Sequence, residues 1–215
     1  MSLRNVVDWD GKYDSQPFIV ATNASTGTVT TENTAGYVIS NAYSLRCYAN
    51  DGVAGKFVSG TGDFPAITEE NFRIKAVVQT SIAESAWLSF YIQLNKFDGV
   101  NRSGTALYFD SGYSLTKEIK VLDSTSNWAT VAGSVWRLEQ NEWCDIELVG
   151  TFNASGVAPD YKYLKVADTT FTTFPSTGRT VASATVPHLD FGFAWTPSNG
   201  AAAYMYIDSF SLEVF

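Results

Sequence analysis

Histidine occurs once, and cysteine and methionine twice each, in 215 residues. A structural zinc site draws four ligands from Cys and His, so Cys47, Cys144 and His188, far apart and without a CxxC, do not make one. The two cysteines read either as buried thiols or as one disulfide; each sits in a strand-like run, which favours thiols. No window of 18 apolar residues occurs, and the opening "MSLRNVVDWDG" has no apolar h-region, so no membrane-crossing helix is written here. "MSL" reads as an expression leader, and residues 1–4 are expected outside the ordered fold. Also missing are GxxxxGK[ST], GxGxxG after a strand, GxSxG and HExxH, which removes the common phosphate-cradling, dinucleotide, serine-hydrolase and zinc-protease chemistries. The "SGTG" at 59–62 reads as a turn and not as a phosphate loop.

Positive charge is scarce as well. Lys and Arg number 14 against 22 Asp and Glu, giving a net charge of −8 and a sequence pI of about 4.6. That balance opposes binding to nucleic acid or an anionic membrane surface. What is present is a globular composition: 45% hydrophobic and 14% aromatic, but only 17% charged, so the polar surface must be built largely from Ser, Thr, Asn and Gly. Residues 1–215 show no internal repeat and no linker, and form one expected domain.

Helical spacing of apolar residues is absent and period-two alternation is frequent. The first third, with "ATNASTGTVTTENTAGYV" at 21–38, reads as short strands and loops. In "FRIKAVV", Phe72, Ile74, Ala76 and Val78 share one side. In "AWLSFYIQLNK", Leu88, Phe90, Ile92 and Leu94 do the same, with Trp87, Ser89, Tyr91, Gln93 and Asn95 opposite. Further strands are expected in 105–109, 118–122, 133–139, 144–152, 161–166, 189–195 and 203–215, with His188 at a strand start and Trp143 and Trp195 in the core. In the last segment Met205 and Ile207 are out of phase with Phe210, Leu212 and Val214, which predicts a β-bulge at Asp208–Ser209. This density of strands indicates an all-β antiparallel sandwich or jelly roll.

Three stretches resemble landmarks of the concanavalin-type and carbohydrate-binding-module jelly rolls. They are "NAYSLRCYA" (41–49), "NEWCDIELVGTF…YKYLKVADTTF" (141–171) and the closing "YMYIDSFSLEVF" (204–215). The resemblance implies a jelly-roll sandwich whose concave sheet takes a saccharide. It also implies a structural calcium at Asp208, near Asp8 or Asp10, with no other cofactor required, although calcium needs six to eight oxygens and no DxDxDG loop is present.

The outward side chains given by alternation suit an oligo- or polysaccharide, because rings pack on sugar C–H faces while amides and charged groups meet hydroxyls. The candidate ligand-binding set is Arg73, Trp87, Tyr91, Gln93, Asn95, Tyr108, Asp110 and Trp128. Trp87 and Tyr91 would stand about 13 Å apart along a strand, more than one pyranose. Trp128, in "DSTSNWATVAG", is the expected exposed loop aromatic.

Two other classes stay open. Asp145 and Glu147 share a strand face and could serve a glycoside hydrolase of the same fold, although Val149, Gly150 and Thr151 stand where a further carboxylate would be expected. A polysaccharide lyase would need more than His188 and "YIQLNK". A structural surface or virion-tail protein fits the composition equally well. The expected setting is extracellular, cell-surface or virion-associated, with the oligomeric state open.

Overall fold

The computed structural model describes residues 4–9, 19–22, 27–33, 38, 44–49, 58–81, 87–110, 118–125, 127–134, 139–197 and 203–215. The described residues are all-β: sixteen strands form two antiparallel sheets. In sheet I the order is β13 (Thr169–Phe171), β12 (Asp160–Val166), β11 (Cys144–Thr151), β6 (Asn71–Thr80), β16 (Ala203–Val214), β4 (Ser44–Ala49) and β3 (Thr28–Glu32), with β1 (Arg4–Trp9) also paired to β16. In sheet II it is β10 (Trp128–Thr130), β9 (Ile119–Leu122), β8 (Asn101–Asp110), β7 (Trp87–Phe97), β15 (His188–Pro197), β5 (Val58–Pro65) and β2 (Ile19–Thr22), with β14 (Arg179–Ala182) also paired to β8. Arg4 lies within β1, so the ordered fold starts earlier than the sequence suggests. Residues 59–62, expected as a turn, run instead through the middle of β5, where their small side chains sit between β15 and β2. Residues 135–138 of the expected 133–139 strand lie outside the described residues, and Gly133 belongs to a turn with φ of 74°.

Alternation becomes a core wherever one face meets the other sheet. Phe72, Ile74, Ala76 and Val78 of β6 are buried, as are Phe90, Ile92 and Leu94 of β7. The sheets are joined by rings: Phe210 of β16 stacks on Phe191 of β15 at 4.5 Å and meets the edge of Phe193 at 5.5 Å. Trp195 is fully buried, whereas Trp143 is only half-buried, because it precedes β11 rather than lying in it. Cys47 and Cys144 are separate buried thiols.

The bulge in β16 is present. The ladder to β6 runs Ile207 to Val78 and then Ser209 to Val77, passing over Asp208. One extra residue restores the phase, so Met205 and Ile207 before it and Phe210, Leu212 and Val214 after it are all buried. The bulge also lies where the other edge of β16 changes partner, from β4, whose ladder ends at Ile207, to β1, which begins at Phe210.

Truncating Phe210 to Ala removes the ring that bridges the sheets and leaves a cavity. We expect a loss of roughly 3–5 kcal/mol of stability, read as a lower denaturation midpoint with an unchanged m-value.

Candidate functional site

The outward face of sheet II carries three consecutive cross-strand rows. Tyr91 of β7 pairs with Tyr108 of β8, and Gln93 with Ala106. Asn95 pairs with Gly104 on one side and Asp190 of β15 on the other, and Gly104 pairs in turn with Arg179 of β14. Successive rows are about 7 Å apart along the strands. A cavity of about 330 Å³ follows them, with Tyr108 and Trp128 toward one end and Arg102 and Arg179 toward the other.

The aromatic end is a cluster. Trp128 stands 4.8 Å from Tyr108 and 6.5 Å from Tyr91, ring centre to ring centre, and remains 39% exposed. It lies on the short edge strand β10 opposite Leu122 rather than on a loop, so its ring is held by a ladder.

The polar middle is built by close approach. Asn95 donates from its side-chain nitrogen to Asp190 Oδ2 at 3.2 Å. Its Oδ1 lies 2.7 Å from where a Cβ on residue 104 would stand, so a side chain there would displace the amide. Asp190 Oδ1 is buried without a hydrogen-bond partner among the described residues. Burial raises the Asp190 carboxyl above its ordinary range, with Asn95 acting in the opposite sense and Asp63 adding to the rise. Burial, and then the charge of Asp190, likewise raise the Tyr91 hydroxyl, which keeps it a donor.

The structure therefore brings Tyr91, Gln93, Asn95, Tyr108 and Trp128 together in one depression. Trp87 and Asp110 belong to β7 and β8 by backbone pairing, opposite Pro197 and Ser89, but their side chains lie outside the described residues. The β7–β15 ladder slips by one residue between Ser89 and Trp87, which interrupts the simple alternation linking Trp87 to Tyr91.

Arg73 does not join this group. It sits on β6, in the other sheet, where Nη1 meets Glu213 at 3.0 Å and Nε faces Glu147 at 3.6 Å. Asp145 and Glu147 are on that same sheet I, beside a depression of about 230 Å³ shared with Lys75 and Lys165. Glu147 accepts the Tyr163 hydroxyl in addition to facing Arg73, so it is tied into an ion-pair network. His188 does start β15; its ring stacks on Phe97 at 4.2 Å and its Nδ1 contacts the Val186 carbonyl at 2.7 Å.

Asp208 is buried at the bulge. Among the described residues no three His, Cys, Asp or Glu side chains cluster as a metal site requires; Asp10 lies outside them, and Asp8 is placed by its backbone alone, opposite Ser211.

Arg102 and Arg179 line the cavity and Asp190 backs Asn95 from the next strand, and alternation did not single out any of the three. Asp190 was visible in "LDFGFAW", where Asp190, Gly192 and Ala194 alternate with buried Leu189, Phe191, Phe193 and Trp195. Arg179 had no such signal, because β14 is four residues long and its place beside β8 is set by a distant pairing.

No protein-family profile and no curated protein sequence matches the chain. Solved structures do match it. Lectin I from Ulex europaeus, in complex with the methyl glycoside of alpha-L-fucose, superposes with a TM-score of 0.56 at 11% identity, covering 98% of this chain and 97% of that one. The cellulose-induced protein Cip1 gives 0.56 at 12% identity, covering 93% and 92%. The CBM2 module of the evolved Dit of Lactobacillus casei BL23 phage J-1 gives 0.50 at 13% identity, covering 99% and 96%. At these identities the likeness establishes the fold alone: a two-sheet antiparallel jelly-roll sandwich, shared with those structures.

Because the native environment disfavours the Asp190 anion, its folded-state pKa lies above the unfolded value. The resulting loss of stability is complete at pH values above the folded pKa and disappears as pH falls through it toward the unfolded value. Asp190→Asn is therefore expected to raise Tm at neutral pH, with the gap to the parent narrowing as pH is lowered through the carboxylate range. Melting curves across pH check this; a gap independent of pH would refute it.

Proposed function

We propose that this protein is a non-catalytic carbohydrate-binding or adhesion module that holds an oligo- or polysaccharide on the outward face of sheet II. The carrying observation is that the three-ring cluster of Trp128, Tyr108 and Tyr91 shares one cavity with Gln93, Asn95 and the arginines Arg102 and Arg179. Saccharides combine apolar C–H faces with directional hydroxyls, and an aromatic end beside amide and charged groups meets both needs. On the cavity wall the amide of Gln93 and the side-chain oxygen of Asn95 supply polar contacts, with the Asn95 amide held from behind by Asp190. The volume of about 330 Å³ is near the lower end for ligand sites, about 300–1,000 Å³, which suits one end or a short segment of a glycan. Sugar hydroxyls must shed water to bind, so affinity is modest.

The fold likeness supports this reading at its coarsest level, since one of the superposed structures is a lectin described in complex with a fucoside. Such a module acts outside the cell, on a cell surface or on a virion. Binding is independent of any metal in the cavity; a structural calcium at Asp208 is a separate part of the proposal, checked by repeating each measurement with chelator.

A glycan array on the purified protein, followed by product analysis on every polysaccharide that binds, is the test. Binding without cleavage is expected. Trp128→Ala should weaken it about tenfold, or ~1.4 kcal/mol, with little change in Tm because this ring is half in solvent. Gln93→Ala, which removes a cavity-lining amide, should weaken it by a similar factor. Silence across the array from a folded, oligomeric protein would instead assign the aromatic cluster to assembly, and product formation would reopen hydrolysis at Asp145 and Glu147.

A further inference from the structure

Arg102 and Arg179 differ from the other arginines whose side chains the structure describes. Arg46 pairs with Glu32 at 2.8 Å, and Arg73 with Glu213 and Glu147. Arg102 and Arg179 have no carboxylate within ion-pairing distance among the described residues, and this sets them apart; the buried, unpartnered Nε of Arg179 is shared by Arg46 and Arg73. They stand on adjacent antiparallel strands in diagonal positions, since Arg102 is opposite Val181 and Arg179 opposite Gly104. Diagonal neighbours on one sheet face are within reach of each other for long side chains. Burial, and then the charge of Arg102, lower the Arg179 pKa. Two guanidiniums left side by side are costly, and in a chain of net charge −8 they do not reflect a general surplus of positive charge.

The surroundings leave room in front of them. Gly104 lies between Arg179 and Asn95 and offers no side chain to fill the floor. Asp190 on this face is one strand further away and already accepts the Asn95 amide, and Asp63 lies beyond it on β5. Arg102 acts on Asp190 electrostatically without closing an ion pair. The cavity thus has an aromatic end, an amide middle and a doubly cationic end.

Resting on the carbohydrate-binding reading, we infer that the arginine end of the cavity takes the anionic group of an acidic saccharide, a uronate carboxylate or a sulfate ester, while the neighbouring ring lies toward Tyr108 and Trp128. Guanidinium forks form charge-assisted, often bidentate, hydrogen bonds with planar or tetrahedral oxyanions, which neutral hydroxyls cannot match. The bulk negative charge of the protein slows the approach of such a ligand but does not cancel contacts made inside a cavity, where screening is weaker.

The test is calorimetric titration with two matched pairs, trigalacturonic acid against its methyl ester and sulfated neocarratetraose against its desulfated form, together with the acidic and neutral glycans of the array. We expect an acidic member to bind at least about tenfold more tightly than its neutral partner, with the preference shrinking as salt is raised. Whichever pair shows it distinguishes carboxylate from sulfate. Arg179→Gln, and independently Arg102→Gln, should lower affinity for the acidic member by a larger factor than for the neutral one and so erase the preference, whereas Trp128→Ala should weaken both members alike. Neutral glycans that bind as well as every acidic counterpart would overturn this inference and leave the carbohydrate reading intact. Silence from all glycans, with the melting transition intact, would overturn both.

Discussion

The hydroxyl of Tyr161 ties sheet I to the backbone of sheet II beneath the cavity. Strand β8 is paired along one edge by β7, but its other edge is divided, with β14 covering residues 101–104 and β9 covering residues 107–109. Between those partners the backbone of Ala106 has no strand beside it. Tyr161, reaching from β12 of the opposite sheet, fills the gap: its hydroxyl donates to the Leu122 carbonyl at 2.9 Å and lies 3.4 Å from the Ala106 amide, which donates to it. Burial raises its pKa strongly, so it stays a protonated donor. A buried backbone amide left unpaired costs about 1–3 kcal/mol, so one side chain makes a split edge tolerable. The split is what sets Arg179 on one side of Ala106 and Trp128 on the other. Gly178 assists, because its lack of a side chain lets the chain pass against the Gly104 and Pro159 backbones before β14 begins.

The outward faces of the sheets treat polar groups differently. On sheet I, Glu213 receives both Arg73 and Lys75, and Glu147 receives Arg73 and the Tyr163 hydroxyl. Charges there are matched across strands by pairs that are partly exposed at the arginine and lysine ends. Both sheets leave some buried polar atoms without partners, but on sheet II these include an aspartate oxygen and the Nε of an arginine that has no carboxylate within ion-pairing distance among the described residues. That pattern lowers stability locally, and recognition sites commonly tolerate such unmet polarity because a ligand supplies the missing contacts.

Much of the architecture was legible in the chain. Strict alternation located β6, β7, β11 and β15, and the phase conflict between Ile207 and Phe210 located the bulge, because one-residue slips leave a visible trace in a buried pattern. Alternation reports which side of a strand faces the core, however, and not which sheet the strand joins. Arg73 and Tyr91 are both outward residues on strands consecutive in sequence, yet they face solvent on opposite sides of the molecule. The site's charged half was harder to read for the same reason: Asp190, Arg102 and Arg179 meet through pairings between distant segments. Trp128 could be singled out from its polar surroundings, but its support from Tyr108 depended on β9 lying between their strands.

Strand length is distributed unevenly, and this bears on behaviour at high concentration. As described, the outermost strands β13, β3, β10 and β2 have three, five, three and four residues. Their interior counterparts β16 and β7 have twelve and eleven. Exposed backbone at a sheet rim is what templates the addition of a foreign strand and seeds fibrils. Short rims offer few such groups, so copies of this molecule that meet in crowded solution will touch through side-chain faces rather than zip edge to edge.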